Sequence, residues 1–263
     1  MKGIILAGGT GTRLLPLTAT TSKQLLPVYD RQMIFYPLNS LIGAGIREIL
    51  IIVSPQYAGS YLNLIGSIFE KRGVSVSFVV QKEPRGLAEA FILGEEFLDG
   101  EPGALILGDN IFEASFREAV ESFTTGGRIF AKSVPDPERF GVVEFDESGK
   151  VLSIEEKPKV PKSSYAVPGM YIFDGRAASF ARAQKPSHRG ELEIVDLQKA
   201  YLDLGELDVR VLEGAYFDAG THDALLEASN YVKEHDWKSK FDPLMESAIT
   251  EFNVEFKRLV SLK

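Results

Sequence analysis

The chain opens with Gly3-Ile4-Ile5-Leu6-Ala7, and this short apolar run leads directly into Gly8-Gly9-Thr10-Gly11-Thr12-Arg13-Leu14. A run of Ile, Leu and Ala with no polar side chain reads as a strand buried on both faces, the condition of a parallel strand covered by helices. Gly8, Gly9 and Gly11 then free the backbone to turn at positive φ and to approach a ligand, with exposed N–H groups forming a concavity suited to anions. A plain strand-to-helix turn is the alternative for such a cluster. Either way, a buried strand entering a turn marks the start of an α/β unit.

Outward from this stretch the pattern repeats. Residues 49–53, 74–80 and 104–107 are further Ile-, Val- and Leu-rich runs. Helices are expected between them at 32–44, 56–72 and 87–98; the first carries Ile34, Leu38, Leu41 and Ile42 at helical spacing. Gly45 and Gly73 stand where helix C-caps belong. Later, residues 140–145 and 151–155 flank Asp146-Glu147-Ser148-Gly149, a turn-forming cluster that predicts a β-hairpin. A strand at 165–173 and a helix at 193–204 follow, and the chain from His222 onward reads as helical and charged.

The expected fold is α/β: a Rossmann-like, mostly parallel mixed sheet flanked by helices, with an inserted β/α lobe over roughly 135–212. Residues 1–231 form the main unit in this reading and 232–263 a helical extension. Trp237 is expected on one face of that extension.

Composition narrows the function. The 263 residues carry a formal net charge of −8, 44% hydrophobic and 25% charged residues, and no cysteine, as in an ordinary soluble globular protein. Without cysteine there are no disulfides, thiolate zinc sites, iron–sulfur clusters or Cys nucleophiles. The acidic balance argues against coating nucleic acid, which needs an excess of Lys and Arg on one face. It leaves room for an anionic small substrate. The first apolar run ends at Gly8, short of the roughly 7–15 residues of a signal-peptide core. No run approaches the ~20 residues of a membrane span, and Ser261-Leu262-Lys263 has the wrong order for a peroxisomal address. A cytoplasmic location without a membrane partner is expected.

Two familiar phosphate loops can be tested against the glycine cluster. A Walker A loop ends in Gly-Lys-Ser/Thr, whereas Gly11 is followed by Thr12-Arg13; a Rossmann fingerprint needs a glycine at the position of Leu14. Both fail. What remains is a glycine loop holding Arg13, with Lys23 ten residues later. Arg grips phosphate oxygens as a fork and Lys acts as a point charge, so the pair suits a polyphosphate.

Leu6-Ala7-Gly8-Gly9-Thr10-Gly11-Thr12-Arg13-Leu14, Pro16, Thr18 and Ser22-Lys23-Gln24-Leu25-Leu26-Pro27-Val28-Tyr29-Asp30 closely resemble the signature of sugar-1-phosphate nucleotidylyltransferases. Within that family the chain looks most like the thymidylyltransferases that act on glucose-1-phosphate. The resemblance runs on through Gln81, Gly86-Leu87-Ala88-Glu89-Ala90, Leu107-Gly108-Asp109-Asn110, Asp136-Pro137-Glu138-Arg139-Phe140-Gly141-Val142-Val143, Glu155-Glu156-Lys157-Pro158, Lys162-Ser163-Ser164-Tyr165-Ala166-Val167 and Asp218-Ala219-Gly220-Thr221-His222.

This resemblance implies attack of a sugar-phosphate oxygen on the α-phosphorus of dTTP, giving dTDP-glucose and pyrophosphate. The nucleophile is already anionic, so the obstacle is gathering negative charge, not removing a proton. The family pattern gives Arg13 and Lys23 the leaving pyrophosphate and Lys157 the incoming sugar phosphate. It gives the nucleotide to Leu6, Gly8, Gly9, Gly11, Thr12, Gln24, Gln81, Gly86, Asp109 and Asn110. Gln24 and Gln81 would select the base, an amide matching the imide edge of thymine or uracil alike. Gly141, Glu156, Val167 and Tyr171 would read the sugar, although Val167 and Tyr171 also fit an ordinary packed strand. Asp109 and Asp218 each follow an apolar run and would hold Mg²⁺, which takes a few carboxylates together with phosphate oxygens and water. Relatives of this kind are homo-oligomers, dimers or tetramers.

Departures from the pattern fall around the sugar: Phe140 in place of a frequent Tyr, Pro168 in place of Thr, and Tyr216-Phe217-Asp218-Ala219 in place of a Trp-containing run. After about Tyr231 the resemblance ends, so the regulatory nucleotide site of longer relatives is not carried over. Uridylyl or cytidylyl transfer, or another hexose-1-phosphate, remains open. A catalytically silent subunit would be expected to lose charged residues, yet Arg13, Lys23, Asp109, Lys157 and Asp218 are all present. His188, His222 and His235 are scattered, and His222 is expected to cap or pack near Asp218.

Overall fold

The computed structural model describes residues 1–66, 68–69 and 72–261. Its first part runs β1 (Lys2–Ala7), β2 (Pro27–Val28), β3 (Arg31–Gln32), α1 (Phe35–Gly43), β4 (Glu48–Val53), α2 (Ala58–Ile65), β5 (Ser75–Val80), α3 (Glu89–Leu93), α4 (Glu95–Leu98) and β6 (Gly103–Leu107). The second runs β7 (Asn110–Phe112), α5 (Arg117–Glu121), β8 (Gly127–Ser133), β9 (Gly141–Phe145), β10 (Val151–Glu156), β11 (Tyr165–Val167), β12 (Met170–Phe173), α6 (Ala177–Ala183), α7 (Ile194–Asp203), β13 (Leu207–Val211), β14 (Tyr216–Asp218), α8 (His222–Glu234) and α9 (Pro243–Ser261).

The opening strand is an interior strand of the sheet, third from the edge that β5 forms. β1 pairs in parallel with β4 on one side and β6 on the other, so Ile4 lies opposite both Leu50 and Leu105. Successive side chains of β1 enter different cores. Ile5 and Ala7 pack with Ile51, Ile106 and the α1 residues Leu38 and Leu41; Ile4 and Leu6 pack with Leu50, Ile52, Phe91 and Leu197 on the other face. Each such aliphatic side chain contributes roughly 1.5–3 kcal/mol on burial, which is why the run has no polar alternation. β5, β4, β1 and β6 are all parallel, β12 is antiparallel between β6 and β8, and β13 runs parallel to β8 beyond it. The α/β architecture with a mixed sheet is as expected; the sheet is partly parallel, four of its described strand pairings being parallel and five antiparallel.

Strand order reverses beside β1, since β4 and β5 lie on one side and β6 on the other. Such a reversal opens a crevice at the carboxyl ends of the strands. Gly8 and Asp109, just past β1 and β6, stand at its mouth.

Several elements differ from expectation. Residues 165–173 make two strands, not one. Pro168-Gly169 breaks them, because a Cβ on Gly169 would come within 2.7 Å of Asn110 Oδ1 and closer still to Leu107. β11 therefore joins β9 and β10 in a small sheet arching from β8, while β12 stays in the main one. The 87–98 helix is broken at Gly94, where a Cβ would meet Ile4 Cδ1 at 2.7 Å. The first helix begins later than expected, since Arg31 and Gln32 pair back with Pro27 and Val28. α2 ends at Ile65; Ser67, Glu70 and Lys71 of the expected 56–72 helix lie outside the described residues. Gly73 accordingly takes φ +67 in a turn and caps no helix.

Thr221, not His222, caps α8, its hydroxyl accepting from the Ala224 N–H at 3.3 Å. His222 is exposed. Trp237 also departs from expectation: it is buried in a short 3₁₀ turn, edge-on to Tyr36 at 6.2 Å, and joins Phe241 and Met245 in the same core as α1.

Candidate active site

A cleft of about 330 Å³ occupies the crevice. One wall comes from the opening strand and its loop. Gly11 takes φ +61 and is held by the Thr18 hydroxyl, which donates to its carbonyl at 2.8 Å. A single 3₁₀ turn follows, Thr12–Leu14, anchored by fully buried Leu14, and it turns Arg13 into the cleft. A second such turn, Lys23–Leu25, carries Lys23 and Gln24.

Asp109 and Asp218 arrive from distant parts of the chain. β14 pairs antiparallel with β7, setting Asp218 opposite Asn110, and the Ala219 N–H donates to the Asp109 carbonyl at 2.9 Å. Lys23 Nζ forms an ion pair with Asp109 Oδ2, both side chains being largely buried. Burial pushes the Asp109 carboxyl up, but the charge and hydrogen bond of Lys23 outweigh it and hold it below the ordinary carboxylate range. Asp218 goes the other way. Burial and the negative charge of Asp109 push it up to about 6.

Asn110 is committed to the protein: Oδ1 accepts from Gly169 N at 2.9 Å and the Tyr216 hydroxyl at 3.0 Å, while Nδ2 donates to Asp109 at 3.2 Å. It positions the carboxylate and ties β12 and β14 to the cleft. Gln24 Oε1 accepts from the Ser22 and Tyr61 hydroxyls at 2.8 and 3.2 Å, which leaves its NH₂ group for a ligand. Gln81 is buried, with Oε1 packed against the α-carbon of Gly8. Gly86, at φ +105, packs so tightly on the Leu192 backbone that a Cβ would overlap it.

The opposite wall is built by the 135–212 segment. Gly141, Glu156, Lys157, Val167 and Tyr171 all face the cleft. Glu156 Oε1 lies 3.3 Å from Arg189 and 3.5 Å from Lys157 Nζ. Burial and then the Glu156 charge push the Tyr171 hydroxyl well up, so it stays protonated and able to donate.

The fold thus gathers Leu6, Gly8, Arg13, Lys23, Gln24, Asp109, Asn110, Gly141, Glu156, Lys157, Val167, Tyr171 and Asp218 around one space. Gly9, Gly11 and Thr12 shape the loop at its rim; Gln81 and Gly86 stand behind Gly8 and beside Leu192. Arg139, Arg189, Glu191 and Glu193 also line the cleft and were not expected there. Arg139 stood inside a recognised block, Asp136-Pro137-Glu138-Arg139-Phe140, and its charge was the available signal; the polar loop around Arg189 offered none.

Among the described residues, five basic and five acidic side chains line the cleft. A ligand carrying several phosphates would leave that balance strongly negative, so a further cation fits here. No group of three or more His, Cys, Asp or Glu residues able to hold a metal occurs among the described residues. Asp109 and Asp218 supply two carboxylates, the donor set of a hard ion such as Mg²⁺ whose other ligands are phosphate oxygens and water.

Comparison with known proteins agrees with this geometry. The nucleotidyl transferase family profile matches residues 2–235. A glucose-1-phosphate thymidylyltransferase of Neisseria meningitidis is 52% identical over 239 residues, covering 89% of this chain and 83% of that protein. The enzyme of the same name from Mycolicibacterium smegmatis is 50% identical over 238 residues, covering 89% and 82%. A crystal structure from Bacillus anthracis assigned to glucose-1-phosphate thymidylyltransferase, with bound sucrose, superposes with a TM-score of 0.85 at 42% identity, covering 93% of this chain and 98% of that one. A UDP-glucose pyrophosphorylase bound to UDP-glucose superposes with a TM-score of 0.79 at 26% identity, covering 89% and 99%. With the sheet, the cleft and these relatives in agreement, the chain belongs to the nucleotidyl transferase family.

Proposed function

We propose that this protein transfers a thymidylyl group from dTTP to glucose-1-phosphate, giving dTDP-glucose and pyrophosphate. Relatives at about half identity over most of the chain carry that name. The observation that carries the reading is the meeting of Arg13, Lys23, Asp109 and Asp218 at the strand reversal, with Lys157 and Arg189 across the cleft. A sugar-phosphate oxygen attacks the α-phosphorus as the bond to the bridging oxygen of pyrophosphate breaks, in line. Both partners are anions, so charge neutralisation and positioning supply the rate. Arg13 and Lys23 take the developing charge of the pyrophosphate. Lys157, supported by Arg189, holds the sugar phosphate facing it. Asp109 and Asp218 would hold Mg²⁺, which when bound would supply electrostatic stabilisation of the phosphate oxygens.

Gln24 and Gln81 read the pyrimidine; the bare α-carbon of Gly8 makes room for the Gln81 amide, and that of Gly86 for the Leu192 backbone. Glu156 accepts from sugar hydroxyls, next to Gly141, Val167 and Tyr171. Residues 1–231 form the catalytic unit in this reading, 135–212 its sugar-binding part and 232–263 a helical extension. The working form is a cytoplasmic homo-oligomer, a dimer or tetramer; no helix among the described residues is long and apolar enough to cross a membrane.

A coupled pyrophosphate-release assay with dTTP, UTP and CTP against glucose-1-phosphate tests the proposal. Preference for dTTP is expected. No turnover with any nucleotide overturns the activity, and equal use of UTP overturns the base preference.

A further inference from the structure

Gln81 has a neighbour that the reaction does not require. Its Nε2 donates to Glu89 Oε2 at 2.8 Å, and both side chains are almost fully buried, 4% and 2% exposed. Glu89 in turn is fixed by Arg85: the backbone N–H donates to Oε2 at 3.0 Å, Nε donates to Oε1 at 2.7 Å, and the guanidinium pairs with Oε1 at 2.6 Å. A carboxylate paired in this way only accepts hydrogen bonds. It therefore determines which end of the Gln81 amide faces it.

A free amide can flip, exchanging NH₂ for C=O at almost the same volume. Here the flip would set Gln81 Oε1 against a buried carboxylate, acceptor facing acceptor, and cost the hydrogen bond between them. The amide is held with NH₂ toward Glu89 and with Oε1 beside the α-carbon of Gly8, a cleft-lining residue. Only one Nε2 proton is used by Glu89; the second remains.

We infer that Glu89 is a positioning residue that sets base selectivity by locking the Gln81 amide as an acceptor toward the base. The inference rests on Gln81 reading the pyrimidine as proposed above. Thymine and uracil carry an N3–H donor flanked by carbonyls, and this amide complements them: Oε1 accepts from N3–H and the second Nε2 proton serves a carbonyl. Cytosine presents an unprotonated N3 acceptor and an amino group. The locked amide meets it acceptor to acceptor and donor to donor. Rejection thus comes from unpaired buried groups, the mode of discrimination that gives large ratios.

The test is the ratio of kcat/KM for CTP to that for dTTP. Glu89→Leu keeps most of the volume and removes the acceptor, so nothing holds the Gln81 amide one way round. The ratio is expected to rise roughly 10- to 100-fold, the value of one buried polar mismatch. Glu89→Gln keeps a carbonyl oxygen where the Arg85 N–H and the Gln81 amide both donate, and Glu89→Asp retains an acceptor-only group, so in both the ratio should stay within a few-fold of the parent even if activity falls. A purely structural role for Glu89 would lower both nucleotides together and leave the ratio fixed in Glu89→Leu, and that outcome overturns the inference. Equal gains of CTP use in Glu89→Leu and Glu89→Asp overturn it as well. Gln81→Leu separates the two layers. If it leaves kcat/KM for dTTP unchanged, the base-reading role fails; if it lowers kcat/KM while the Glu89→Leu ratio stays fixed, only the locking role fails.

Discussion

Asp218 shares a buried corner with Asp109, and although Lys23 and Arg13 bring positive charge to it, burial and the Asp109 charge outweigh them. Replacing Asp218 by Asn should therefore have two opposite effects. Relief of the like-charge repulsion is expected to raise stability by about 1 kcal/mol, while loss of half the carboxylate pair lowers kcat roughly 100-fold or more. Thermal unfolding without substrate and steady-state kinetics read the two separately. A variant that melts lower and turns over at the parent rate contradicts both expectations. At the same scale, Arg189 shows why single residues escape sequence reading: an arginine in a polar loop is ordinarily solvated, and only the return of that loop to Glu156 and Glu193 gives it a site.

Among the elements, the segment between β5 and α3 depends on one backbone position. Gly86 takes φ +105, and its neighbours Arg85 and Ala88 bond the Leu192 backbone at 2.7 and 3.1 Å, joining this segment to the start of α7. Alanine there meets both a disfavoured φ and the Leu192 carbonyl. Gly86→Ala is expected to cost roughly 3 kcal/mol or more, seen as a lower urea midpoint with an unchanged slope. An unchanged midpoint would show that the approach of the two segments is not needed. The break at Pro168-Gly169 works similarly, letting one run of sequence serve two sheets and turn β11 over the cleft.

For the molecule as a whole, Glu113 fastens the C-terminal segment to the end of β7. It follows β7, accepts from the Ala215 N–H at 2.8 Å and the Tyr231 hydroxyl at 3.0 Å, and pairs with Lys240. The Lys240 hydrogen bond, with the Ala215 N–H, holds its carboxyl down at about 2, from 4.5. The stabilisation is therefore complete above pH 4.5 and lost as pH falls toward 2. Solvent reaches the pair, whose side chains are 35% and 23% exposed, so the contribution is screened to on the order of 1 kcal/mol. Glu113→Gln should flatten the pH dependence of unfolding between about 4.5 and 2, and equally steep curves for parent and variant would refute the role.

How far each feature was legible follows the range of the force behind it. The all-apolar run 3–7, the glycines after it and the Asp146–Gly149 turn act within a few residues, so the interior strand, the loop with Arg13 and the hairpin could be read directly. Recognition of ordered motif blocks added most of the cleft. Helix lengths depart from the periodic pattern where Gly94 answers to Ile4 and where residues 31–32 pair backward, contacts that periodicity does not contain. Buried Trp237 and the charge of Arg189 at the cleft likewise lie beyond local pattern. Strand chemistry and loop chemistry were thus settled by neighbours along the chain. The joining of Asp109 to Asp218, and the hold of Glu89 on Gln81, were decided by folding alone, because burial and charge act through space between residues that sequence order keeps apart.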